Sequence, residues 1–442
     1  MTAALIFALL LALMLTGTPI AIALGLTVLG ALFVLTDIPL DAVALKLFTG
    51  MEKFEIMAVP FFILAGCFLT QGGIAQRMIR FAVAMAGHRA GGLGLAAVLA
   101  CAIFAAVSGS SPATVVAIGS ILIPAMVAQG YPRRFGAGVV ASSGALGILI
   151  PPSIVVVLYA LATSGMTARG PDGQRVPAAS VDQLFMAGVV PGILLALILG
   201  GVTWAIAVRE GFPRAERATW SEAFQAFRQS FWGIALIFVV MGGIYGGFVT
   251  PTEAAALSAA YAFIVARFVY RDIGWHDVPG VLLNAANMSA MILYIIANAM
   301  LFSFLLTHEH IPQSIAEWIV AQGFGWISFL IVVNIVLLIA GTFMEPASVM
   351  LILAPILFPV AAKLGIDPVH FGIIMVVNME IGMITPPVGL NLYMTSSIAR
   401  MGLTETARAV LPWLLSMLVF LIVVTYWPDL SLWLPRQFGL VK

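Results

Sequence analysis

Two proline pairs stand 235 residues apart, each inside a long apolar stretch: GALGILIPPS at 144–153 and MEIGMITPPV at 379–388. Other landmarks keep nearly the same offset. Pro112 and Pro346 are 234 apart, Pro124 and Pro359 are 235 apart, and Thr18-Pro19 and Thr250-Pro251 are 232 apart. The chain reads as two copies of one unit, 1–210 and 231–428, joined by a polar amphipathic linker or arm helix at 209–230 and followed by a C-terminal tail at 429–442. A repeat of this kind confines the fold to architectures in which equivalent elements of the two units meet.

The elements are membrane-spanning by length. Apolar stretches of about 20 residues, enough to cross roughly 30 Å of hydrocarbon, lie near 2–17, 19–35, 56–71, 135–163, 183–208, 232–249, 251–270, 281–306, 370–398 and 409–427. Only 9% of the 442 residues are charged and 62% are hydrophobic. A soluble domain carries about 25% charge because water must solvate its surface, so this surface meets a lipid bilayer. The formal net charge of +1 supplies no basic excess for phosphates and excludes nucleic acid as the main partner. Cys67 and Cys101 have neither disulfide nor metal spacing and read as small buried hydrophobes. No Lys or Arg precedes residues 2–15, and the apolar character resumes after Gly17-Thr18-Pro19, so this stretch reads as a membrane helix rather than a signal peptide.

Two further apolar regions are interrupted near their middles, 91–128 by SGSSP (108–112) and 326–362 by GTFMEP (341–346). Each leaves arms too short for a crossing and so predicts a re-entrant hairpin, whose irregular tip must be buried in protein or line a wet cavity. The proline pairs predict discontinuous helices at 135–163 and 370–398. The expected fold is therefore an all-α polytopic membrane protein, an inverted repeat of about five crossings per unit (ten to twelve in total) with two re-entrant helical hairpins and two discontinuous helices. Charge supports inversion. Arg77, Arg80, Arg89, Arg133 and Arg134 flank the first hairpin, whereas the equivalent 307–322 has no Lys or Arg and offers His308, Glu309, His310 and Glu317. By the positive-inside rule these loops lie on opposite sides, with 164–182 outside and 209–230 and the Arg400/Arg408 loop inside.

Helices broken in mid-membrane expose amides at one end and carbonyls at the other; the amides favour anions and the carbonyls coordinate Na⁺. Because prolines donate no amide hydrogen, carbonyls near Gly147 and Ile148, and near Gly382 and Met383, are expected to lose their helical partners, with Thr385 adding a hydroxyl. Ser108, Gly109, Ser110 and Ser111 supply the first tip, with Thr114 following, and Gly341, Thr342 and Glu345 supply the second.

The segments SGSSPATVVAIGSILIPAM, SSGALGILIPPS, GTFMEPASVMLILAPILFPVA and NMEIGMITPPVGLNLY resemble the large membrane (M) subunit of tripartite ATP-independent periplasmic (TRAP) transporters, most closely the C4-dicarboxylate branch. The resemblance extends over essentially the whole chain, VTPTEAAA (249–256) included. It implies an elevator-type ion transporter fold and Na⁺-driven uptake across the bacterial inner membrane. It also implies a small four-helix membrane partner and a periplasmic substrate-binding protein. By motif, one Na⁺ site falls on Ser108, Gly109, Ser110, Gly147, Leu149 and Pro151, and a second on Gly341, Thr342, Gly382, Ile384, Thr385 and Pro386. The substrate, a small-molecule carboxylate, would touch Ser110, Ser111, Thr114, Asn378, Thr385 and Asn391. No protein cofactor is implied beyond two or more Na⁺.

Glu345 and Glu380 are candidate functional carboxylates, since ionisable groups within membrane segments are rare. Glu253, in a first helical turn, is expected to serve as a cap, and His308-Glu309-His310 to be solvated surface. There is no Walker A sequence, so ATP use is unsupported, and no HExxH for intramembrane hydrolysis. The leading expectation is Na⁺-coupled uptake of malate, succinate, fumarate or a related acid. A stand-alone carboxylate symporter or antiporter of a related hairpin-bearing fold is the alternative, ahead of a passive channel and an enzyme.

Overall fold

A computed structural model describes residues 2–441 apart from 36–39, 215, 313, 316, 318–321 and 324. The expected outer loop 307–322 thus lies partly outside the described residues. The described residues are mostly helical. Its helices are α1 (Thr2–Leu15), α2 (Ile20–Leu35), α3 (Leu40–Met51), α4 (Ala58–Gln71), α5 (Ile74–Ala86), α6 (Gly92–Ser108), α7 (Ser111–Ala128), α8 (Arg133–Gly144), α9 (Ile154–Thr163), α10 (Val181–Glu210), α11 (Trp220–Tyr245), α12 (Pro251–Ile264), α13 (Val278–His308), α14 (Trp326–Phe343), α15 (Pro346–Lys363), α16 (Pro368–Gly382), α17 (Leu390–Ala399), α18 (Leu403–Tyr426) and α19 (Asp429–Gln437). Among the described residues, nine continuous helical stretches of 18 or more residues are apolar enough to cross a bilayer, 54–71 and 251–269 being counted with the 3-10 and π turns that adjoin α4 and α12. Three of the nine, α7, α14 and α15, are arms of the interrupted regions and are longer than the sequence reading expected. Large apolar side chains point outward from them, such as Phe238 at 72% and Leu197 at 67% exposure, as a lipid-facing surface requires.

The interruptions fall at equivalent places. The first hairpin is α6 and α7 with its tip at Gly109-Ser110, and the second is α14 and α15 with its tip at Met344-Glu345. The first discontinuous helix is α8 and α9, broken at the cis pair Pro151-Pro152, and the second is α16 and α17, broken at the cis pair Pro386-Pro387.

Inversion can be read from α10, a continuous helix of 30 residues and therefore about 45 Å long. The open end of the first hairpin sits at its Glu210 end: Tyr131 Oη donates to the Pro213 carbonyl at 2.7 Å, and the Phe135 and Phe212 rings meet at 4.7 Å. The open end of the second sits at the Val181 end. There a short β-hairpin, β1 (Thr167–Arg169) with β2 (Arg175–Pro177), packs Ala168 against Phe358 and Ala362 of α15. The hairpins enter from opposite faces.

Four regions differ from the sequence reading, the first being α3 (Leu40–Met51), which falls between the apolar stretches at 19–35 and 56–71. Residues 209–230 are not a separate arm helix: α10 runs on to Glu210, Gly211 turns the chain at a φ of +69°, and 220–230 are the first turns of α11. The Thr219 and Glu222 side chains each cap the other's backbone amide there, which starts a helix that then continues through the apolar run. The tail contains α19, which packs on α10, and the Leu440 carbonyl accepts from Gln183 Nε2 at 2.7 Å. Helix α5 was not anticipated; it buries Ile74, Ala75, Met78, Ile79 and Ala82 on one face and carries Arg77 and Arg80.

Cysteine substitutions at Arg134 and His308 in a Cys67→Ser background test the inversion. Arg134 lies at the Glu210 end of α10, while His308 closes α13, about 46 Å long, which starts beside the Arg-bearing turn of Arg271 and Asp272. A membrane-impermeant maleimide applied to intact cells should modify the His308→Cys variant and spare Arg134→Cys; equal reaction would contradict opposite faces.

Candidate transport site

Each hairpin tip is seated on the break of the discontinuous helix in its own repeat. Ile154 N donates to the Gly109 carbonyl at 3.3 Å, and at the equivalent place Gly389 N donates to the Thr342 carbonyl at 3.2 Å. Backbone approaches backbone closely enough to demand glycine. A Cβ on Gly147 would fall 2.7 Å from the Ser110 carbonyl oxygen, and one on Gly382 would fall 2.7 Å from the Gly341 Cα.

Oxygens gather at both junctions. At the first, Ser108 Oγ lies 3.1 Å from Thr114 Oγ1, and Thr114 Oγ1 donates to the Ser110 carbonyl at 2.8 Å. Ser153 Oγ donates to the Ile148 carbonyl at 2.6 Å. At the second, Thr342 Oγ1 donates to the Ile339 carbonyl and Thr385 Oγ1 to the Ile381 carbonyl, both at 2.7 Å. A hydroxyl that has given its only hydrogen to a helix carbonyl presents lone pairs alone, so it can serve a monovalent cation and cannot donate to an anion. The expected orphan carbonyls are partly spoken for: Met383 O accepts from Asn391 N at 3.0 Å and Gly382 O from Thr385 N at 3.1 Å. A second lone pair on each remains. Among the described residues, no cluster of three or more His, Cys, Asp and Glu could hold a metal ion.

Between the tips is a cavity of about 530 Å³. Ser108 to Ala113 line it from the first hairpin and Glu345, Pro346 and Ala347 from the second, with Ile148, Ile154, Met383 and Leu390 from the breaks. The opposite wall is α4 and α13. Of the sequence-predicted substrate contacts, Ser110 and Ser111 line the cavity. Thr114 lies behind them, bonded to Ser108, and Thr385 is outside the lining. Asn378 and Asn391 are fully buried and hold the framework instead. Asn378 Nδ2 donates to Asn334 Oδ1 and the Ile374 carbonyl, both at 2.8 Å, and Asn334 Nδ2 to Thr425 Oγ1 at 3.0 Å. Asn391 Nδ2 crosses between repeats to Ser111 Oγ at 2.8 Å and to the Ala141 carbonyl at 3.3 Å.

Sequence reasoning missed Thr70 and Gln71 of α4 and Asn284 and Asn287 of α13, which line the wall facing the tips. Two asparagines three apart in a mainly apolar crossing share one helical face, a signal that was available.

The candidate carboxylates part company. Glu253 accepts from Thr250 N at 2.8 Å and is the expected cap. Glu380 is fully buried, with neither carboxyl oxygen hydrogen-bonded. Glu345 makes no side-chain cap and faces the cavity. His308 and Glu309 are 3.5 Å apart at the surface.

The same scaffold is found in a solved protein. The crystal structure of the Alcanivorax borkumensis YdaH transporter, a protein of unusual topology, superposes with a TM-score of 0.60 over 88% of each chain at 14% identity, which shows a shared fold. Closer relatives are permeases. The Rhodobacter capsulatus C4-dicarboxylate TRAP transporter large permease protein DctM is 66% identical over 440 residues, all of both chains. The Pseudomonas aeruginosa protein of the same name is 54% identical over 419 residues, 94% of each. A family model, tripartite ATP-independent periplasmic transporter, DctM component, matches residues 7–430. With both hairpins and both broken helices inside that match, the chain belongs to the DctM component family of TRAP transporters and is a multi-pass transporter permease rather than an enzyme.

Proposed function

We propose that this permease imports C4-dicarboxylates such as malate, succinate and fumarate across the bacterial inner membrane by Na⁺ symport. A periplasmic binding protein hands over the cargo and a small four-helix membrane subunit completes the complex. The single observation that carries this reading is the paired junction: two inverted hairpins, each bonded backbone to backbone on the break of its own repeat, with cation-accepting oxygens behind each tip and one cavity between them. The names of the relatives support the cargo, and the tripartite family supports the partners. The arginine-rich end that carries Arg133, Arg134, Arg209 and Arg214 faces the cytoplasm under the positive-inside rule.

The energetics require an ion. Among the described residues, no Lys, Arg or His lines the cavity, so these offer a dianion no fixed countercharge. Against 100 mV, inside negative, two inward negative charges cost about 4.6 kcal/mol, at roughly 2.3 kcal/mol per charge. Two Na⁺ cancel that cost and a third would make import electrogenic. The first Na⁺ would be held by Ser108, Gly109, Ser110, Gly147, Leu149 and Pro151, and the second by Gly341, Thr342, Gly382, Ile384, Thr385 and Pro386. The hairpins and broken helices then move as one body, an elevator, past the wall formed by α4 and α13.

Uptake into proteoliposomes containing both membrane subunits, with and without binding protein, tests the reading. Transport should require both a Na⁺ gradient and the binding protein; uptake of free succinate without that protein would favour a stand-alone symporter or antiporter. Ser110→Ala and Thr385→Ala should each raise the Na⁺ concentration for half-maximal uptake roughly 10-fold or more, since a contact to a charged group is worth about 1.5–3 kcal/mol. Unchanged Na⁺ dependence in both would remove these hydroxyls from the coupling sites.

A further inference from the structure

The two hairpin tips are not chemically equivalent. Ser111 precedes Pro112 at the start of α7, and in the matching place Glu345 precedes Pro346 at the start of α15. Ser111 is buried and tied to Asn391, whereas Glu345 caps nothing with its side chain and looks into the cavity. Apart from Glu345, the only ionisable side chain lining the cavity among the described residues is Cys67. Helix α15 packs on α9, α13, α14, α16 and β1. The titratable groups on these elements, Tyr159, Tyr294, His308, His370, Glu380 and Arg169, all lie outside the lining.

Taking the dicarboxylate reading above as its basis, this places a carboxyl group in the chamber of a dianion, with no basic side chain to offset it. Ionised, Glu345 would repel the cargo and offer it only acceptors; protonated, it offers a donor. We propose that Glu345 is a proton-binding site that must be filled for cargo to bind. A proton from water adds to one Glu345 oxygen, and the resulting O–H donates a hydrogen bond to a cargo carboxylate. Its release returns Glu345 to the ionised form once the cargo has left. No bond to the cargo forms or breaks.

The complete transporter with its binding protein, in proteoliposomes under a fixed Na⁺ gradient, tests this through uptake against external pH. Wild-type uptake should be greatest at low pH and fall toward tenfold per pH unit as Glu345 loses its proton. Glu345→Gln, a neutral donor of the same shape, should transport with less than a twofold change over the same range. Fumarate is a stronger acid than succinate, so a wild-type midpoint common to both belongs to the protein, and one that follows the cargo overturns the proposal. So does a folded Glu345→Gln transporter, judged by an unchanged melting temperature, that is inactive at every pH or keeps the wild-type falling limb. Infrared spectroscopy separates the two levels of inference. A protonated carboxyl band present in the wild type and lost in Glu345→Gln supports the proton site even should dicarboxylate uptake fail, and such a failure would sink only the cargo assignment. Lack of the band sinks the proton site.

Discussion

Gly147→Ala and Gly382→Ala should each reduce Na⁺-driven uptake by roughly 10- to 100-fold. The added carbon at Gly147 would meet the Ser110 carbonyl oxygen at 2.7 Å, the Ser110 carbonyl carbon at 2.8 Å and the Ser111 Cα at 2.9 Å. At Gly382 it would meet both the Cα and the carbonyl carbon of Gly341 at 2.7 Å. These neighbours are backbone, so no side chain can swing away. The tip must lift off the break instead, at an overpacking cost of about 1–3 kcal/mol. Each 1.36 kcal/mol is a factor of ten. Because the proposed cation oxygens come from both sides of the junction, that cost falls on Na⁺ binding. Gly201→Ala and Gly280→Ala, where the added carbon meets nothing within 4 Å, are the matched controls and should retain wild-type uptake. Wild-type Na⁺ dependence in both junction variants would show that the seated tips are not the coupling element.

The two junctions were legible in the sequence because proline and glycine act locally. Pro151-Pro152 and Pro386-Pro387 cannot continue a hydrogen-bond ladder, so the breaks follow from residue chemistry whatever surrounds them. Recurrence at one offset turned two local kinks into a repeated device. Inversion was legible through the arginines, since charge asymmetry is imposed by the membrane rather than by packing. The end of α10 was harder to place. Its polar character begins at Arg209, but the helix stops only where Gly211 turns it, and the Thr219-to-Glu222 capping box restarts a helix whose polar first turns continue into an apolar crossing. Composition marked the chemical boundary, whereas caps set the structural one.

The substrate contacts were less legible for a different reason. An asparagine in an apolar helix signals that its amide has a partner without saying whether that partner is cargo or protein. Asn378 and Asn391 look alike in sequence to Asn284 and Asn287, yet the first two are buried in side-chain networks and the second two line the cavity. Only the tertiary arrangement separates them. The hydroxyls were more tractable, because a serine or threonine beside a helix break stays near that break, as Ser108 and Thr342 do.

Asn391→Ala should destabilise the transporter by about 1–3 kcal/mol, the cost of leaving buried polar groups without partners, and should lower uptake more than the equivalent change at Asn378. Asn391 is the first full turn of α17, immediately past the second break, and its amide nitrogen holds two elements of the other repeat: the Ser111 hydroxyl at the first hairpin tip and the Ala141 carbonyl of α8. Losing it removes the hydrogen bond that ties one tip to the opposite repeat and orphans a buried hydroxyl in the same stroke. Asn378 bonds α14 and its own helix, all within the second repeat, so Asn378→Ala should cost similar stability while leaving the relation between repeats intact. A double-mutant cycle isolates the cross-repeat bond. Asn391→Ala and Ser111→Ala measured singly and together by denaturation in detergent should give a coupling energy of about 0.5–1.5 kcal/mol, and uptake should fall no further in the double variant than in the worse single one. Additive losses in both measurements would mean that the two side chains act independently. The proposed elevator body would then have to be held together by the remaining contacts between repeats, among them the hydrogen bond from Tyr159 Oη to the Pro368 carbonyl at 3.1 Å, and the packing of α17 on α7 and α8 and of α15 on α9.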